Sequence, residues 1–285
     1  MAKRKRKAPG KSKTGPHKGK SHFLFLIIAF PFRIIWKLCV LIGSGVQRIL
    51  SYSRARLNEH RIESKRATLG KLTGYEPISI IETEKGDYRK FEERLLNNKS
   101  TIGIILGARG SGKSGLGMRL LENIHSKSKR RCFCMGFRQE TLPTWLRAVE
   151  TVDEAGKDAV LLIDEGGILY SARKSMSSAN KILSDALLIA RHNDLSIIFI
   201  SQNSANLEIN TLRQADYLLL KPSSLLQKDF EREKIRSVYE AAASRFEKHS
   251  SNEGLLYIYS QEFIGFGTNT LPSFWSSRVS KSFRK

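Results

Sequence analysis

At 285 residues and 40% apolar composition the chain has room for one to two domains with a sizeable core, and its three cysteines, Cys39, Cys132 and Cys134, exclude a disulfide-stapled secreted scaffold. The formal charge of +22 is uneven: residues 1–73 hold 18 Lys and Arg against 2 acids, leaving 31 against 25 for the rest. The excess belongs to an N-terminal appendage suited to an anionic partner, nucleic acid or an acidic membrane surface, and the remaining body is only mildly basic.

Residues 1–22 carry nine Lys and Arg, no acids, and Gly, Pro and Ser between them. Such a segment cannot bury a core, so a disordered basic tail that meets a polyanion is expected. An apolar run follows over residues 23–46. As helix it would cover roughly 36 Å, enough to cross a bilayer. Pro31 interrupts it, and Arg33 and Lys37 sit near its middle, each costing roughly 2.5–3.5 kcal/mol on insertion scales. Four residues apart, these cations share one helix face, which also suits a helix lying in the interface. The segment is expected to associate with a membrane, as a span or as an interfacial helix. It has no small-residue cleavage site of the kind a signal peptide needs. Residues 47–74 read as a basic helical linker, with Gly70, Gly74 and Pro77 marking entry to a globular domain over 75–270. Residues 271–285 read as a basic C-terminal tail.

Within the domain, apolar strands and amphipathic helices alternate. Strands are predicted over 102–106, 132–135, 159–163, 195–200 and 217–220, helices over 113–126, 174–192 and 226–248, and a closing hairpin from 255–259 and 263–266. A fully apolar run such as 159–163 suits a strand buried on both faces. The alternation predicts an α/β fold with a central, mostly parallel sheet flanked by helices. Cys132 and Cys134 alternate along one strand and read as buried positions rather than metal ligands.

Three motifs carry chemistry. Gly107-Ala108-Arg109-Gly110-Ser111-Gly112-Lys113-Ser114 fits G-x-x-x-x-G-K-[ST], with Gly115 next and an apolar strand before it. Glycines let such a loop turn its amides inward onto phosphate oxygens, and the following helix adds its positive end. Lys113 is expected to reach the β- and γ-phosphates, and Ser114 to hold Mg²⁺. Asp164 and Glu165 end the strand Val160-Leu161-Leu162-Ile163, where buried carboxylates are costly without a task. Asp164 suits Mg²⁺ beside Ser114, and Glu165 suits activation of the attacking water. The pair favours hydrolysis over transfer to a small acceptor. Gln202, at the tip of the strand Ile198-Phe199-Ile200-Ser201, suits a sensor of the γ-phosphate. Arg191 and Arg213 are candidates for stabilising transition-state charge on a neighbouring subunit's nucleotide. There is no Leu-Ser-Gly-Gly transporter signature and no guanine-specifying Asn-Lys-x-Asp.

The stretch from Ile189 to Ser224, with Arg191, Ser201-Gln202 and Arg213 around an apolar strand, resembles the HerA/FtsK superfamily of DNA-translocating ATPases. Viral genome-packaging ATPases and the Zot-like ATPases of filamentous phages are similar. The resemblance implies a RecA-like P-loop fold, ATP with Mg²⁺ as cofactors, ATPase roles for Lys113, Ser114, Asp164, Glu165 and Gln202, and a ring, usually a hexamer, with sites at subunit interfaces. Double-stranded DNA, an anionic membrane and virion or export-complex proteins are the partners it suggests. Zot-like proteins commonly place their membrane segment after the ATPase; here the apolar segment precedes it, as in membrane-bound FtsK-like pumps. The expected function is a membrane-associated motor with its ATPase domain in the cytoplasm, moving DNA in genome packaging. The alternatives are an assembly or secretion ATPase acting on protein, and a regulatory NTPase switch.

Overall fold

The computed structural model describes residues 73–280 apart from 176, 177, 225, 226 and 228, together with 47, 53, 56, 57 and 59–69. The expected basic tail over 1–22 and apolar segment over 23–46 lie outside the described residues, among which no helix is long and apolar enough to cross a membrane. The chain divides into two compact units, Met1–His60 and Arg61–Lys285. In the first, the described residues are helical and exposed. The second begins with helix α1 over residues 61–69 and contains all that follows.

Its elements run β1 (Ser79–Gly86), α2 (Tyr88–Asn97), β2 (Ile102–Leu106), α3 (Lys113–Ser128), β3 (Arg131–Met135), β4 (Leu146–Val149), β5 (Ala159–Asp164), α4 (Glu165–Ser175), α5 (Ala179–His192), β6 (Ser196–Ser201), α6 (Ile209–Gln214), β7 (Tyr217–Leu220), α7 (Glu233–Lys248), β8 (Leu255–Ser260) and β9 (Phe263–Thr268). They build a nine-stranded sheet in the order β1-β9-β8-β7-β2-β6-β5-β3-β4. From β7 to β4 neighbouring strands are parallel; β8, β9 and β1 extend the sheet antiparallel. A mostly parallel sheet with flanking helices fits a RecA-like NTPase.

Strand alternation divides the core into two layers. Leu161 and Ile163 face one layer with α5 and α7, through Leu183, Leu187, Val238 and Tyr239. Val160 and Leu162 face the other with α2 and α3, through Phe91, Leu95, Leu116 and Leu120. β2, β5 and β6 are buried at every position, which is why their sequences are continuous apolar runs. Asp216 fixes the entry to β2: its Oδ2 accepts from the Ile102 amide at 2.7 Å, and its Oδ1 pairs with Arg94 of α2.

Five of these elements escape the pattern reading, α4 among them, which follows Asp164 directly where no helix is predicted. β1 is short of apolar residues and β4, Leu-Arg-Ala-Val, is only four residues long; they are the two edge strands. α2 starts at Asp87, whose side chain accepts from the Arg89 amide, but its apolar face is only two buried residues deep. α6 is six residues long, too short to show a period. The helix expected over 174–192 is α5, which begins later than expected: residues 174 and 175 end α4, and α5 starts after Ser178, whose hydroxyl accepts from the Lys181 amide at 3.2 Å.

One close contact sets the junction from β5 to α4. A Cβ on Gly167 would lie 2.7 Å from the Gly136 amide nitrogen and 2.8 Å from the Met135 carbonyl oxygen, so the first turn of α4 rests backbone to backbone on the end of β3. We predict that Gly167→Ala, forced to displace backbone rather than a side chain, destabilises the domain by about 1–3 kcal/mol, measured by urea unfolding. An unchanged midpoint would show that this contact does not constrain the junction.

Candidate nucleotide site

The parallel register brings the ends of β2, β6 and β5 level, with Leu106 beside Ser201 and Ile200 beside Asp164. What leaves those three ends forms the site. After β2, residues 107–112 turn back into α3, with Gly110 and Gly112 in the left-handed region at φ 80° and 89°. No side chain caps the first turn of α3, which leaves its amides available to an anion. The loop is tied on the β7 side: the Ala108 amide donates to the Pro222 carbonyl at 3.0 Å, and the Lys221 amide to the Leu106 carbonyl at 2.8 Å.

Lys113 is buried, and its Nζ donates to the carbonyls of Gly107 and Ala108 at 2.9 and 2.8 Å. Burial pushes its pKa down, against the pull of Asp164 and Glu165. Ser114 Oγ donates to Asp164 Oδ2 at 3.1 Å, which places hydroxyl and carboxylate side by side across two strands. Asp164 Oδ1 accepts from the Gly166 amide at 3.2 Å. Only 8% exposed, Asp164 has its pKa raised by burial, partly offset by those two hydrogen bonds and by Lys113.

Glu165, the first residue of α4, turns the other way. Its Oε2 accepts from Ser201 Oγ at 3.1 Å and from the Gln202 amide at 3.0 Å, and its Oε1 from Asn206 Nδ2 at 2.9 Å. The carboxylate is thus bonded to the tip of β6 and the turn that follows. Gln202 extends the network: its carbonyl accepts from Gln227 Nε2, which also donates to Glu231 Oε1. Glu231, buried, accepts from the Ser204 amide at 2.8 Å.

A cavity of about 850 Å³ opens over this arrangement. Of the residues expected in the site it is lined by Arg109, Gly110, Gly112, Lys113, Ser114, Gly115, Asp164, Glu165 and Gln202; Gly107, Ala108 and Ser111 shape the loop from behind. Arg191 and Arg213 are not brought to it. Arg191 ends α5, which leads into the start of β6, and Arg213 ends α6, which leads into β7, so both lie toward the opposite ends of the strands. Arg213 instead lines a second cavity, of about 670 Å³, with Tyr259 and Ile235; no phosphate-binding loop borders it.

The donor set fits Mg²⁺. A hydroxyl and a carboxylate are hard oxygen ligands, and Mg²⁺ takes one or two such groups, with waters and phosphate oxygens completing its shell. Among the described residues no cluster of three His, Cys, Asp or Glu could cage a metal alone. A divalent cation would also supply the positive charge that the buried Asp164 carboxylate lacks. Cys132 and Cys134 are buried core thiols, raised by desolvation, as their alternation implied.

Several site residues were not read from the sequence. Ser201 and Asn206 lie in a stretch recognised for Gln202, but hydrogen bonds to Glu165 leave no mark in spacing. Leu271 and Trp275 line the cavity from a segment read as a tail. A tryptophan amid basic and small residues was the one signal available there.

The zonular occludens toxin (Zot) family model matches residues 115–217, from the first turn of α3 to the start of β7. That match bears out the likeness to HerA/FtsK-type P-loop ATPases drawn from the motifs. No curated protein matches the chain in sequence. Among solved structures, the genome packaging NTPase B204 of Sulfolobus turreted icosahedral virus 2 with ATP-gammaS is 16% identical, covering 61% of this chain and 100% of its own, at a TM-score of 0.43. EssC (ATPases 2 and 3) of Geobacillus thermodenitrificans is 9% identical, covering 70% and 46%, at 0.40.

The raised pKa of Asp164 has a stability consequence. A carboxyl whose folded pKa lies above its unfolded value favours the fold at low pH, and that contribution is lost as pH rises through the elevated pKa. Asp164→Asn, which fixes a neutral group of the same shape, is therefore predicted to melt higher than the unaltered protein at neutral pH without nucleotide or magnesium. The gap should close in acid. A variant that melts lower at neutral pH would contradict the burial argument.

Proposed function

We propose that this chain is a membrane-associated ATPase motor that couples ATP hydrolysis to translocation of double-stranded DNA in the packaging of a viral or mobile-element genome, working as a homo-oligomeric ring. The amides of the loop and of α3 bind the triphosphate. Lys113, once it exchanges its carbonyl partners for phosphate oxygens, neutralises the β- and γ-phosphates. Ser114 and Asp164 would hold a magnesium ion, which would draw charge from the phosphate oxygens. Glu165 accepts the proton of the attacking water.

The observation that carries the motor reading is the bonding of Glu165 to Ser201, Gln202 and Asn206. A general base that accepts three hydrogen bonds from the loop beside the γ-phosphate would strain or loosen some of them as it turns to a water. Each turnover then moves residues 201–207, and through Gln227 and Glu231 the approach to α7. This is a path from chemistry to motion. Arg191 and Arg213, remote from the chain's own loop, would serve a neighbour's nucleotide in the ring. The cationic residues 1–22 would hold DNA or anionic lipid through contacts that weaken steeply with salt. Residues 23–46 would dock the protein on the membrane with the ATPase domain in the cytoplasm.

The Zot match favours a second reading, an assembly or secretion ATPase acting on virion or export-complex proteins. ATPase rates with and without double-stranded DNA separate the two. Stimulation supports the DNA motor; a rate indifferent to DNA supports protein cargo. On either reading we predict that Glu165→Gln binds ATP with unchanged affinity and hydrolyses it roughly 10²–10⁴-fold more slowly. Hydrolysis at the normal rate would remove Glu165 from its role. Deleting residues 1–46 should shift the protein from the membrane to the soluble fraction; an unchanged distribution would refute the docking assignment.

A further inference from the structure

The segment after β9 does not trail away. Phe274 and Val279 are buried in the α2/α3 layer, and Leu271, Trp275 and Ser280 line the same cavity as Lys113 and Asp164. We propose that Leu271 and Trp275 form the base subsite of this cavity, with the indole ring as the platform on which the purine of a nucleoside triphosphate stacks. The inference rests on the phosphate site argued above and names what recognises the other end of the same ligand.

Position is the first argument. Gly115 follows Ser114 directly, and a Cβ there would come within 2.9 Å of Leu271 Cδ2 and 3.9 Å of the Trp275 ring. The apolar side chains therefore begin where the phosphate cradle ends. Exposure is the second. Leu271 stays 55% exposed, while Trp275 packs against the core and still borders the cavity. A wide apolar surface beside a set of phosphate-binding groups is what the two halves of a nucleotide require.

The segment is also firmly held. Glu122 of α3, fully buried, accepts from the Ser273 amide at 3.1 Å and from Ser273 Oγ. Arg119, also buried, pairs with Glu122 at 2.7 Å and donates its other Nη to the Leu271 carbonyl. A buried ion pair is costly to desolvate and adds little net stability; this one, which also meets Glu76 through Arg119 and the Gly74 amide through Glu122, chiefly fixes the position of the segments on either side of it. Lys221, 1% exposed and pushed down to about 7 by burial, secures the start of the segment by donating to Asn269 Oδ1 at 2.6 Å and the Gly254 carbonyl at 2.7 Å. Arg119 and Glu122 thus hold the segment after β9 against the nucleotide-binding helix, and Lys221 fixes where it starts.

The test compares ATP with inorganic tripolyphosphate, which has no base, by calorimetric titration of the full chain. Trp275→Ala should weaken ATP roughly tenfold or more and leave tripolyphosphate unchanged, and Trp275→Phe should restore most of the loss. Unchanged binding of tripolyphosphate also reports that the variant's cradle is folded. ATP affinity unaltered in Trp275→Ala would overturn the proposal, and so would an equal loss of both ligands, which marks a structural role. An unaltered chain that binds neither ligand would overturn the phosphate site itself, and the subsite with it.

Discussion

The contact between Ser114 Oγ and Asp164 Oδ2 joins two stretches fifty residues apart, and much of the structure is arranged to make it. It needs β2 and β5 parallel, with β6 between them and all three ends level. It also sets a problem that the fold does not solve alone. Lys113 and Asp164 are both buried, and burial drives each toward its neutral form. The groups around them compensate only in part. Local chemistry of this kind, costly to the fold by itself, is expected where a ligand supplies the missing charges. A triphosphate would satisfy Lys113 and a divalent cation would satisfy Asp164.

Adjacent residues at the end of β5 then divide the work. Asp164 faces the loop and Ser114; Glu165, one residue on and already in α4, faces β6. The division depends on the chain turning sharply from strand to helix, which the backbone contact between Gly136 and Gly167 enforces. On the proposed reading, phosphate binding and water activation would belong to different walls of one cavity. The second wall is linked by hydrogen bonds to the turn after β6 and on toward α7, and the loop wall reaches α7 through Lys221, whose amide donates to the Leu106 carbonyl and whose carbonyl accepts from Tyr239. On the proposed reading the β6 side, which holds Glu165, would be the part that moves.

The sequence made the phosphate loop, Asp164, Glu165 and Gln202 legible because each sits at a break between an apolar run and polar residues, and such breaks survive in one dimension. The fully buried strands were legible for the same reason. Edge strands were not: β1 reads Ser-Ile-Ile-Glu-Thr-Glu-Lys-Gly, and its pairing with β9 is a long-range fact. Partners recruited by tertiary hydrogen bonds were equally invisible, as with Asn206 on Glu165 or Glu122 on Ser273. The segment beyond residue 270 was misread because its basic residues suggested solvent, whereas Phe274 and Val279 anchor it to the core.

The central claim is that Ser114 and Asp164 act as one magnesium site beneath a bound triphosphate. A double-mutant cycle on the magnesium-dependent part of ATP affinity, with Ser114→Ala, Asp164→Asn and the two combined, measures that claim directly. The account predicts that either change removes most of the magnesium dependence and that the combination removes hardly more. Fully additive losses would mean that the two groups serve separate purposes and that the site has been wrongly assembled.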